Sequence, residues 1–231
     1  MNIKEQENKL FARWAEKYEG LFMEDGAPCP EQFESERVKI TYVLKEAYAP
    51  GESWDMRDWV AEYGGDSESP NTWNNLTRWT QAILEGGDYP QQVSIDDRIR
   101  WLKRMSFLNL KKVGGFSSAT PAKIRKYAKD DAIYIYDQLR IYEPDIIVCC
   151  GVLGNKAVSD CLAEYVFSYE GEWEHYEKDR FFCWFYTQIP GKTGKTAVLN
   201  FVHPLNIGKG YTNETVFTIM AEASKKILEV R

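Results

Sequence analysis

The sequence predicts an α/β domain: a three-layer αβα sandwich around a central, mostly parallel, four-stranded sheet. Two observations carry this. The β-branched stretch at 38–44 reads as a buried strand, and the uninterrupted apolar run at 145–150 has the mark of a strand covered on both faces. Between them lie longer stretches with apolar residues at helical spacing, so strands and helices alternate along the chain.

The elements follow in order. Residues 4–22 place Leu10, Phe11, Trp14, Tyr18 and Leu21 on one helical face, with a loop from Asp25 to Pro30 after it. The strand at 38–44 ends in a polar turn, Lys45-Glu46, and the loop Ala49-Pro50-Gly51. Residues 52–69, rich in Trp, Asp, Ser and Gly, read as a long irregular loop of the kind that carries function. Ser69-Pro70 opens a helix whose apolar face is Trp73, Leu76, Trp79, Ile83 and Leu84, and Gly86-Gly87 stops it. Ser94 and Asp97 form a capping box for a helix through Lys103. A short strand at 105–110 precedes a long helix opened by Thr120-Pro121 and stopped before Pro144. After the strand at 145–150, Gly151 turns the chain into a helix near 153–164. Strands at 181–189 and 196–202 form a hairpin, and Thr212 or Asn213 caps the last helix.

Composition narrows the function classes. Hydrophobic residues make up 44% and aromatics 14%, enough for a packed core. No stretch approaches the ~20 apolar residues of a membrane span, and the first residues lack a secretory pattern, so the expectation is a cytoplasmic protein without membrane contact. Five cysteines, two of them adjacent, argue for buried thiols rather than a disulfide framework. With only His175 and His203 as histidines and no Cys-x-x-Cys, neither a metal site nor a cofactor is expected. His175 stands among Glu170, Glu172, Glu174 and Glu177 and reads as a surface residue. The net charge is −6; residues 1–36 hold nine acids against four bases, leaving the rest near neutral. This divides the chain into an acidic N-terminal extension, 1–36, and an α/β domain, 37–231.

In parallel sheets, ligands bind outside the carboxyl ends of the strands. The residues expected there are Glu46 and Tyr48 after the first strand, Asn109 with Lys111 and Lys112 after the second, Gly151 after the third, and His203 after the last. These segments read Leu44-Lys45-Glu46-Ala47-Tyr48, Phe107-Leu108-Asn109, Ile146-Ile147-Val148-Cys149-Cys150-Gly151 and His203-Pro204-Leu205. In order and spacing they resemble the uracil-DNA glycosylase superfamily, whose motifs are Gly-Gln-Asp-Pro-Tyr, Leu-Leu-Asn, a glycine-ended third strand and His-Pro-Ser. The resemblance spans roughly 38–230. It implies DNA or a nucleobase-containing ligand as partner, and base flipping with hydrolysis of an N-glycosidic bond as the chemistry.

The implied roles are as follows. Asn109 reads the base edge, Tyr48 crowds the methyl position of thymine, and Trp54, Trp59 or Trp73 stacks on the base. His203 stabilises the charge on the departing base, and Glu46 orients water and offsets positive charge on the sugar. Lys111, Lys112, Gly208 and Lys209 contact phosphate. Four positions depart from the family pattern: Leu44 and Ala47 replace glycine and proline, Glu46 replaces aspartate, and Leu205 replaces serine. Two other readings stand beside this one: a non-catalytic nucleic-acid or nucleotide binder on the same fold, and a partner-binding protein that uses the acidic N-terminal helix.

Overall fold

The computed structural model describes residues 1–18, 22–48, 54–66, 70–115 and 120–230. In chain order the elements are α1 (Ile3–Ala15), α2 (Pro30–Ser35), β1 (Ile40–Tyr48), α3 (Met56–Tyr63), α4 (Asn71–Leu84), α5 (Ile95–Leu102) and β2 (Ser106–Gly115). Then come α6 (Pro121–Asp130), α7 (Ala132–Tyr142), β3 (Ile146–Cys150), β4 (Val152–Leu153), β5 (Lys156–Ala157) and α8 (Val158–Cys161), which runs into a π-helical turn at Leu162–Phe167. The chain ends with β6 (Glu174–Tyr176), β7 (Asp179–Thr187), β8 (Thr196–Phe201) and α9 (Asn213–Val230).

The central sheet is mostly parallel but has six strands, not the expected four, in the order β2-β1-β3-β8-β7-β6. The first four are parallel, and β7 and β6 extend the sheet antiparallel. The hairpin of β7 and β8 forms as the turn residues predict; β6 is too short and too charged to show in the sequence pattern. Alternation along β1 explains the layers. Tyr42 and Leu44 pack with α3, α4 and α9, whereas Val43 packs with α1, α6 and α7. All five residues of β3 are buried, as a strand between two helical layers requires. No described helix is long and apolar enough to cross a membrane.

Several elements differ from expectation for identifiable reasons. Both β1 and β2 continue past their apolar runs, because Glu46 lies opposite Lys111 and the two side chains form an ion pair. The stretch expected to be an irregular loop holds α3, opened by the Asp55 carboxylate accepting from Arg57 N (2.8 Å) and closed by left-handed Gly64. Residues 49–53 and 67–69 of the expected loops, with the Ser69 cap, lie outside the described residues, as does Leu21. The long helix after Thr120 is broken in two at Asp131, a buried carboxylate that takes hydrogen bonds from Lys17 Nζ and Tyr18 Oη. After Gly151 the β4–β5 hairpin delays the helix to Val158. The Ser94–Asp97 capping box forms as expected, and Thr212 Oγ1 accepts from Thr215 N at the start of α9.

The acidic N-terminal segment is part of the core. Leu10, Phe11 and Trp14 of α1 pack with Val43, Leu108 and Leu139. Residues 22–27 then run along the outer edge of β2, with Met23 N donating to Lys112 O (2.6 Å) and Phe107 N to Gly26 O (2.9 Å). The side chain of Asp25 is buried there and collects donors from Asn109 N (2.6 Å), Asn109 Nδ2 (3.0 Å), Gln138 Nε2 (2.8 Å) and Lys112 Nζ. A second buried carboxylate, Glu7, accepts from Ala27 N (2.9 Å), Tyr142 Oη (2.7 Å) and Arg57 Nη1 (2.7 Å). Gly26 makes this possible: its φ is +139° and a Cβ there would stand 2.2 Å from Glu7 Oε1. Burial raises the Glu7 carboxyl above its ordinary pKa against the pull of Arg57, and lowers that of Lys112 against the pull of Asp25.

Removing one partner of such a pair leaves a buried charge without compensation. Asp25→Ala is therefore expected to lower stability by about 3–5 kcal/mol, read as a shift in the urea midpoint. Lys126→Ala, which breaks an exposed i,i+4 pair with Asp130, is expected to leave that midpoint in place.

Candidate functional site at the carboxyl edge of the sheet

The parallel order β2-β1-β3-β8 sets the carboxyl ends of four strands along one edge. Register then decides which residues meet. Val43 is opposite Cys149 and Cys150 is opposite Phe201, so continuing the register sets Gly151 between Lys45 and Val202, with His203 next. Side-chain contacts agree with this. A Cβ on Gly151 would lie 2.9 Å from His203 Cβ, 3.3 Å from His203 Cδ2 and 3.4 Å from Lys45 Cε. Gly151 has φ +87°, a conformation other residues rarely adopt, so glycine here allows both the turn and the approach of the two side chains.

His203 is held by short local bonds. Asn206 N donates to His203 O (3.0 Å), Leu205 N donates to His203 Nδ1 (3.2 Å), and Asn75 Nδ2 from α4 donates to Pro204 O (2.8 Å). Burial, with the Lys45 charge adding to it, lowers the imidazole pKa from its ordinary 6.5 to about 4. The ring is thus neutral at pH 7. Because Nδ1 accepts a hydrogen bond, the proton sits on Nε2. Among the described residues nothing accepts from Nε2, which leaves one neutral N–H donor for a ligand.

Lys45, which sequence reasoning treated as part of a turn, stands out beside it. It is half-buried and, among the described residues, makes no hydrogen bond or ion pair, while Lys111 and Lys112 are both paired. Burial lowers its pKa, with Cys150 and Glu46 opposing. The signal in the sequence was a lysine directly after an apolar strand and next to an acid. The neighbouring Cys150 thiol is pushed up by burial, so it is not a thiolate.

The expected site residues divide. Glu46 lies at this edge, paired with Lys111, two strands from His203, a backbone separation of about 10 Å at normal strand spacing. Tyr48 is exposed at the end of β1, and Gly208 and Lys209 are exposed in the loop after His203, where Gly208 N already donates to Asn206 Oδ1 (3.2 Å). Asn109 is not at the rim: it lies inside β2 opposite Leu44, is 1% exposed, and gives its amide N–H to Asp25. Its Oδ1 has no donor among the described residues. Lys112 is likewise removed from any phosphate, fully buried between Asp25 and Gln138. Lys111 turns back to Glu46 and the carbonyls of Val113 (2.7 Å) and Gly114 (3.2 Å). Trp73 belongs to the core, in an edge-to-face chain Trp54–Trp59–Trp73–Phe107 with centroids 5.4, 5.4 and 5.5 Å apart. Trp54 is the half-buried outer member of that chain. His175 is exposed on β6, as expected of a surface residue. Among the described residues no cluster of three His, Cys, Asp or Glu could hold a metal ion.

The lowered His203 pKa has a defined consequence for stability. Unfolded chains take up a proton on this histidine near 6.5 and the folded protein only near 4, so the neutral ring contributes fully above about 6.5 and the contribution is lost as pH falls toward 4. The His203 ring resonance in NMR is expected to titrate at about 4. The difference in urea midpoint between the wild type and His203→Gln is expected to shrink over the same window.

The sequence matches no protein-family model and no curated protein. The functional reading therefore rests on the chemistry of this edge.

Proposed function

We propose that the edge formed by Lys45, Gly151 and His203 binds a nucleobase carried by DNA or by a nucleotide, in a protein of uracil-DNA glycosylase type. The observation that carries this reading is the neutral His203 ring with Nδ1 committed to Leu205 N and Nε2–H left to donate. Such a donor in a partly dry site suits a carbonyl oxygen of a base, and it gains strength as negative charge develops there when the base departs. Glu46, about 10 Å across the edge, is far enough from His203 to leave room for a base and sugar between them. In the hydrolytic form of this reading its carboxylate faces the sugar and the attacking water. Tyr48 borders the base, Trp54 is the half-buried outer member of the tryptophan chain and stacks on that base, and Lys209 with the Gly208 turn serves the phosphate. Asn109, Trp73, Lys111 and Lys112 serve the architecture beneath.

A second reading, binding without turnover, is favoured by one specific contact. Lys111 occupies the Glu46 carboxylate that hydrolysis needs. A single experiment separates the two. Single-stranded oligonucleotides with and without one uracil are titrated by fluorescence anisotropy, and base release is followed in parallel. The hydrolytic form expects release that falls by about 10² in His203→Gln, the size of losing one transition-state donor. The binding form expects affinity that depends on His203 and weakens with salt, with no release. Absence of both binding and release overturns the proposal.

A further inference from the structure

Lys45 is the functional group at this edge that the base-binding reading leaves without a task. It lies one residue before Glu46 on β1 and shares with His203 the space above Gly151 that a side chain would otherwise fill. The fully buried cations among the described residues all have partners: Arg57 has Glu7, Glu24 and Asp55; Lys111 has Glu46; Lys112 has Asp25; Arg78 and Arg98 have backbone carbonyls. Lys45 is half-buried and has none among the described residues. A half-buried amine beside His203, without an acceptor among the described residues, is suited to act as a nucleophile rather than as a structural cation.

We infer that Lys45 forms an imine with the open-chain aldehyde of a deoxyribose that has lost its base, with His203 donating a hydrogen bond to the aldehyde oxygen. The inference rests on the base-binding reading, because an abasic sugar is what remains at this edge once a base has left. The step balances without an oxidant or reductant. The Nζ lone pair forms the C–N bond to C1′, the carbonyl oxygen leaves as water with the two hydrogens of the neutral amine, and an imine remains. The burial that lowers the pKa of Lys45 raises the neutral fraction that this step needs. The same aldehyde occurs in an abasic strand and in a free deoxyribose phosphate, and the chemistry at Nζ is common to both.

Trapping tests this directly. The full chain is mixed with an oligonucleotide containing one abasic site in the presence of sodium cyanoborohydride, which reduces an imine to a stable amine. The expected result is a covalent protein–DNA adduct whose modified peptide, by mass spectrometry, carries the label on Lys45. In Lys45→Arg, which keeps the charge but cannot form the imine, trapping is expected to fall by at least about 30-fold. Peptide mapping in the wild type keeps the test valid even where that variant folds poorly. An adduct on other lysines, or one undiminished in Lys45→Arg, overturns the inference. A parallel titration with an oligonucleotide carrying tetrahydrofuran, an abasic analogue without an aldehyde, separates the two levels. Binding without trapping overturns imine formation and leaves the base-binding reading in place, whereas no binding of either oligonucleotide overturns both. Faster labelling of Lys45 by 2-deoxyribose 5-phosphate than by the strand supports the amine chemistry and overturns the strand as its source.

Discussion

The buried carboxylates of Asp25 and Glu7 hold together parts of the chain that are distant in sequence. Asp25 ties residues 22–27 to β2 through Asn109 and Lys112 and to α7 through Gln138. Glu7 ties α1 to α7 through Tyr142 and to α3 through Arg57. Gln138 Nε2 also reaches Tyr142 Oη (2.8 Å), which joins the two clusters into one network. Burying charges this deeply costs several kcal/mol per ion unless nearly every lone pair and proton is matched. Here the matching comes from five separate segments, so none of them can shift without stranding a charge. What results is specificity: α1 has one way to dock, and the outer edge of β2 is covered by residues 22–27 instead of being left open to pair with another chain.

That closure decides where function can reside. At the β2 side the network takes up Asn109 and Lys112, and the Glu46–Lys111 pair closes the upper end of the β1–β2 contact. Across the β1, β3 and β8 ends the pattern changes. Among the described residues His203 Nε2–H and the Lys45 amine have no partner, and Gly151 contributes space instead of a side chain. Polar groups deep in a fold are normally satisfied by their neighbours, so those left available at one place are available for something else. The contrast between Lys112 and Lys45 makes the point. Both are lysines whose charge is disfavoured by burial, but one hydrogen-bonds to an acid and a glutamine and the other has no such partner among the described residues.

Much of the architecture was legible in the sequence because it depends on local patterns. The runs that became β1 and β3, the helix bearing Trp73 and Trp79, the Ser94 capping box and the β7–β8 hairpin each carry their signal within a dozen residues. The errors occur where a distant partner prevails. Nothing near Asp131 indicates that Lys17 and Tyr18 will claim its carboxylate and break a helix. Likewise Lys45-Glu46 reads as a turn until Lys111 arrives on the next strand to pair with Glu46 and extend both strands. For the site, strand-end logic places His203 and Glu46 at the carboxyl edge of the sheet, where the strand order also has them. It could not tell which polar residues of β2 would be consumed by Asp25, a residue that looked like part of a plain loop. What sets Lys45 apart is the lack of a partner among the described residues, and such a lack is not a sequence pattern.

Charge distribution narrows what this edge can bind. Of the net −6, −5 belongs to residues 1–36, and that segment packs on α7 and along β2. The strand order puts β8 three strands from β2, about 14 Å away at normal spacing, which is beyond a Debye length at physiological salt. The acidic segment therefore does not repel an anionic ligand at His203 strongly, but the remaining body is close to neutral and does not attract one either. Proteins that hold duplex DNA through its backbone gain affinity from many phosphate contacts. With Lys111 and Lys112 consumed internally, this edge has few to offer. If the edge binds a base as proposed, the contacts available are those of His203 and Lys45 with one base or one sugar, which suits an exposed nucleotide or a short single strand better than an intact duplex.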